Sequence, residues 1–172
     1  MGVARISRGL QRDEYDPSVL QPLLAICALK PFELDQCLCI GDAENATVNR
    51  SAFEGDPTGF EAFVNHVHLG DLWDGQASPK PDVALLRAIA RLVISSWAVS
   101  LLPLLGGRSV LFYAGGTSVE DFTLRFHVDR NQGTSWIDFG DDAFLRKEGM
   151  RVWRFDAGGL REAGADTKGA HA

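Results

Sequence analysis

Up to Gly107 the apolar positions mostly recur at intervals of three and four residues; beyond it they alternate. Asp16-Pro17 sets an N-cap residue before a proline at the first helical position. It predicts a short helix over residues 19–29, ended by Pro31. Residues 32–40 read as a strand and residues 41–58 as a polar loop. Phe60, Phe63, Val64 and Val67 hold i, i+3, i+4, i+7 spacing, which predicts a helix over 59–67 closed by Gly70. Residues 74–81 are turn formers and read as a linker. The strongest element is a helix over 82–102. Its apolar stripe is Leu85, Leu86, Ile89, Leu92, Val93 and Trp97, with Arg87 and Arg91 on the other side. So broad a stripe predicts a helix laid across a sheet. Pro103 and Gly106-Gly107 end it.

After that helix the period falls to two. Residues 109–114 form a predicted strand, and Gly115-Gly116 turns the chain. Phe122, Leu124, Phe126 and Val128 then point one way, and Thr123, Arg125 and His127 the other. Asn131-Gln132-Gly133 marks a hairpin turn, with a return strand over 134–139. That register sets His127 against Trp136, Arg125 against Asp138 and Phe126 against Ile137. Residues 150–155 give a further strand. The expected fold class is α+β: an antiparallel sheet of about four to five strands, a meander in the C-terminal half, with two to three helices on one face. Residues 1–156 form the expected single domain. Residues 157–172, mostly Gly, Ala and scattered charges, read as a flexible tail.

The chain has 172 residues, 45% hydrophobic and 23% charged, a size and composition suited to one globular domain. Its net charge of −6 argues against nucleic acid as the main partner, because phosphate binding needs clustered Lys and Arg. The first 12 residues lack the apolar core of a secretory signal. The longest uncharged apolar run, residues 92–107, is 16 long and contains Pro103, short of the roughly 20 a membrane span needs. The expectation is a cytoplasmic protein with no membrane partner and free thiols at Cys27, Cys37 and Cys39.

The charge is uneven. Residues 1–80 hold 6 basic and 12 acidic side chains, against 11 and 11 in residues 81–172. Glu33, Asp35, Asp42, Glu44, Glu54, Asp56, Glu61, Asp71 and Asp74 face only Arg50 within residues 33–74. Such a cluster builds a negative field that speeds encounter with a cationic partner. The residues expected to carry binding are Asp42, Glu44, Glu54, Asp56, Asp71 and Asp74. Trp73 and Trp136 are the expected aromatic anchors, and Arg125 and His127 the polar groups beside Trp136. This is the profile of a non-catalytic acidic protein that docks on a basic one, as an inhibitor or immunity protein does on a toxin domain.

The competing chemistry is a small metal-dependent hydrolase built on His66, His68 and Asp71. Two histidines two apart share a face on a strand, but lie about 200° apart on a helix. The apolar spacing before them favours the helix. Cys37 and Cys39 share one strand face and read as small core side chains. His127-Val128-Asp129 has the HxD spacing of facial-triad iron oxygenases, but the only later histidine is His171, so that chemistry is not carried over. The chain contains no GxSxG, HExxH, Walker A or GxGxxG sequence. Gly115-Gly116-Thr117-Ser118 stands between two strands and reads as a turn, not a phosphate loop. No cofactor is expected.

Overall fold

A computed structural model describes residues 17–73, 81–130 and 141–163. The fold is α+β. Helix α1 (Pro17–Cys27) leads into a two-stranded hairpin, β1 (Pro31–Leu34) and β2 (Cys37–Ile40). Next come α2 (Ala43–Arg50), α3 (Pro57–Val64), a short β3 (Val67–His68) and the long α4 (Val83–Leu101). The remainder is β4 (Ser109–Gly115), β5 (Thr123–Asp129), α5 (Asp142–Lys147), β6 (Arg151–Asp156) and β7 (Gly159–Glu162). The main sheet has the order β3-β5-β4-β6-β7, antiparallel throughout. β4 is central, and Val110 to Gly115 are buried along it, because both sheet faces are covered there.

Alternation in β4 and β5 sends Val110, Phe112, Ala114, Leu124, Phe126 and Val128 to one face, where α4 supplies Leu86, Val93, Ile94, Trp97 and Leu101. Leu111, Tyr113 and Val152 face the other side, with Leu145 of α5 packed beside them. Asp82 caps α4 by accepting from the Leu85 N–H at 2.7 Å. The exposed C-terminal carbonyls of α1 are satisfied by α4: Trp97 Nε1 donates to Ile26 at 2.8 Å, and Ser96 Oγ donates to Cys27 at 2.9 Å.

Four expectations change. The single strand over 32–40 is a hairpin, turned at Asp35 (φ +48°) and Gln36 (φ +66°), the left-handed pair that a tight two-residue turn requires. No glycine announces this turn. The loop over 41–58 contains α2, started by Asp42, whose carboxylate accepts from the Glu44 and Asn45 N–H groups. The buried face of α4 is rotated toward Ala90, Ile94, Ala98 and Leu101, leaving Leu85 and Leu92 outside. The start of the expected tail is β7, paired on β6 from Asp156↔Gly159 to Trp153↔Glu162.

The expected hairpin beyond β5 is not among these. Residues 131–140, with the return strand and Trp136, lie outside the described residues. Along the edge of β5 away from β4, the described residues make these contacts. Val67 pairs with Leu124, the Phe126 carbonyl accepts from Asn65, and the Val128 N–H donates to Glu61.

Candidate functional site

Two side chains of α3 bridge the small hairpin to the main sheet. Asp56 caps α3, its carboxylate accepting from the Gly59 N–H at 2.8 Å, and Pro57 occupies the first turn. Glu61 and Asn65, one helical turn apart, are fully buried between β2 and β5. The Glu61 carboxylate accepts from the Leu38 and Val128 N–H groups, each at 2.8 Å, and from Arg130 at 2.6 and 2.9 Å. Asn65 accepts from the Ile40 N–H at 2.9 Å and donates to the Leu38 and Phe126 carbonyls at 2.8 and 3.3 Å. Two strand edges thus meet through side chains instead of through a ladder. Sequence reasoning missed this. The available signal was a Glu and an Asn four apart within an apolar helix.

Beside this bridge a cleft of about 550 Å³ opens between the β1–β2 turn, the start of β4 and the end of β5. Arg50, Arg108 and Arg130 line it together with Glu33, Asp35 and Asp129. Its charges are committed within the fold. Arg108 pairs with Glu33 at 3.0 Å, Arg50 with Asp35 at 3.5 Å, Arg130 with Glu61, and Asp129 with Arg154 at 2.7 Å.

The acidic side chains of residues 33–74 therefore divide. Glu33, Asp35 and Glu61 turn to arginines. Asp42 and Asp56 cap helices while remaining exposed, and Glu44, Glu54 and Asp71 are exposed. Asp74 lies outside the described residues. Arg50, the lone cation among them, is folded inward: its guanidinium sits 5.1 Å from the Phe60 ring centre. The surface of α2 and its flanks is left with Asp42, Glu44, Glu54 and Asp56, and with Val48 (73% exposed) and Phe63 (48%) near them in sequence and fold.

Three anchor expectations are corrected. Trp73 is buried in the main core, because the turn over 70–73 folds it inward beside α1. His127 is 2% exposed and packs edge-on against Tyr113 at 5.5 Å; its Nδ1 donates to the Val128 carbonyl at 2.8 Å, and burial holds its pKa low. Arg125 is half-buried rather than displayed on an open face.

His66 and His68 do not lie on a helix. The chain leaves α3 at Asn65, so both imidazoles reach one side with ring centres 4.4 Å apart. Arg125 Nη2 donates toward His66 Nε2 at 3.4 Å. Burial, with Arg125 and then His68 beside it, pushes the His66 pKa down to about 4. The ring is a neutral acceptor here. Asp71 does not join the pair: among the described residues no three His, Cys, Asp or Glu side chains gather to hold a metal. Cys37 and Cys39 pack with Ala46 and Phe60, and burial pushes the Cys39 thiol up to about 12, the reverse of a reactive cysteine.

No protein-family model, curated protein or solved structure matches this chain.

Proposed function

We propose that this chain is a non-catalytic binding protein that docks on a more basic protein, in the manner of an inhibitor or immunity protein that neutralises a toxin. The observation that carries the reading is the outer surface of α2 and its flanks. Four exposed carboxylates stand there, and the one arginine of the segment is turned inward to Asp35 and Phe60. Among the described residues, Glu44 and Glu54 have no fold role comparable to the capping by Asp42 and Asp56. Carboxylates of this kind steer a cationic partner and set its orientation. Val48 and Phe63 then supply apolar area to bury, in place of the tryptophans expected from sequence.

Copurification with the product of the adjacent gene tests the proposal, with wild-type chain beside Glu44→Lys/Glu54→Lys. The expected outcome is a basic protein retained by the wild type. Its association rate should fall about tenfold or more in the variant and fall steeply with added salt. Failure to retain a basic protein, or equal retention by the variant, overturns the reading.

A further inference from the structure

The ion pairs around the cleft are unequal. Arg108 is saturated. Its Nε donates to the Leu105 carbonyl, Nη1 to Glu33 and the Gln36 carbonyl, and Nη2 to Glu33 and the Leu104 carbonyl, at 2.6 to 3.3 Å. Arg130 gives two short bonds to the buried Glu61. Arg50, at the end of α2, is different. Its Nη1 donates to the Phe53 carbonyl at 3.0 Å and its guanidinium rests on the Phe60 ring, so the head group is held in place. Its Nε is buried, yet among the described residues it donates no hydrogen bond. Asp35 stands 3.5 Å from that nitrogen, outside hydrogen-bond geometry, and its side chain is 65% exposed. Among the described residues Nη2 donates no hydrogen bond either. A buried N–H without an acceptor is costly, and an acceptor entering the cleft removes that cost.

We propose that the cleft binds a small organic acid, with its carboxylate on the Nε–Nη2 edge of Arg50. The N–H groups of that edge run parallel and match the two oxygens of a carboxylate. The contacts with Phe53 and Phe60 fix the guanidinium beforehand, so little side-chain freedom is lost on binding. The cleft, about 550 Å³, has the size of a small-molecule site, and Pro57 and Val128 in its wall offer apolar contact.

Charge sets the class of ligand. Glu33, Asp35 and Asp129 balance Arg50, Arg108 and Arg130 around the cleft. A single negative charge is accommodated there, and a dianion is opposed. Asp35 carries the same chemical group as the ligand and approaches the same nitrogen. It is therefore a competitor, and its exposed, loosely aligned pairing is weak enough to be displaced. The exposed carboxylates Asp42, Glu44, Glu54 and Asp56 do not line the cleft, so the inference is independent of acidic docking.

Nuclear magnetic resonance of the nitrogen-labelled full chain reads the Arg50 Nε–H itself, whose signal is the one lost in Arg50→Lys. Sodium acetate is raised to about 100 mM at about pH 7 while sodium chloride keeps the ionic strength constant, because so small an acid binds weakly. The Nε–H signal should move saturably, with half-saturation at about 5–10 mM. In Asp35→Asn half-saturation should come at acetate concentrations about threefold lower, because the competitor is gone. Asparagine suits the positive φ of this turn position, so that variant keeps the fold. Arg50→Lys retains a charge but not the paired edge, and should lose the acetate-dependent shifts of the Gln36 and Asp129 amides with unchanged circular dichroism. A shift that is linear in acetate overturns the inference, as does equal half-saturation in wild type and Asp35→Asn, or amide shifts that survive Arg50→Lys. Tighter saturation by sulfate than by acetate overturns the assignment to a singly charged acid.

Discussion

His66 shows how one residue's setting converts into a measurable property. In the unfolded chain its imidazole takes a proton below its ordinary pKa of 6.5; in the fold it does so only near 4. The unfolded state therefore binds more protons between those values. Stability is complete above pH 6.5 and declines as pH falls toward 4. The ring is partly exposed, so screening limits the effect to about 1 kcal/mol. Urea unfolding from about pH 7 to 4 should lose stability more steeply in the wild type than in His66→Gln. Parallel curves would contradict the setting described. The spacing of the two histidines was plain in the sequence. Their meeting was not, because it depends on α3 stopping at Asn65, one residue before the pair.

Among the elements, α3 departs furthest from what its apolar pattern implies. Phe63, part of the predicted buried stripe, is half exposed, while the charged Glu61 is fully buried. The reason is position. α3 lies across a gap between two strand edges, and polar side chains there replace the missing ladder. Removing one partner leaves buried groups unmatched. Glu61→Gln keeps size and loses the charge facing Arg130, and should cost about 3 kcal/mol in urea unfolding. Asn65→Ala, which orphans one N–H and two carbonyls, should cost about 2 kcal/mol. Losses under about 0.5 kcal/mol in both would mean that the bridge does not join the hairpin to the sheet. α4 is evident as an element from its apolar run, yet its buried side includes Ala90 and Ala98, which a stripe of large residues leaves out. Those small residues are what allow the helix to approach the sheet.

The molecule as a whole ends its sheet later than composition suggests. β7 holds one Leu, between a Gly and two charges, but it pairs with β6, and its ends are tied by Arg161–Asp156 and by Arg151–Glu162 at 3.1 Å. Leu160 packs on the main core. A chain ending at residue 156 would leave the edge of β6, with Trp153 and Phe155, unpaired. It should melt about 5 °C below a chain ending at residue 163 and aggregate sooner on heating, as differential scanning calorimetry with turbidity would report. Equal melting would place the end of the fold at Asp156. The acidic bias of the first half is likewise a property of the whole molecule. Some of its carboxylates are consumed by Arg108 and Arg130 from the second half, pairings that no local reading of charge reveals.

Local chemistry was enough to establish the α+β class, the position of α4, the alternation of β4 and β5, and the helix starts at Pro17 and Asp82. Each follows from the period of side chains along a helix or strand, or from an N-cap and proline beside the chain they start. Packing alone settled the two-residue turn at Asp35-Gln36, the burial of Glu61, Asn65 and His127, the inward turn of Arg50 and the exposure of Leu85 and Leu92 on α4. Those depend on which distant segment fills the space around a residue, and that information lies in contacts far apart along the chain.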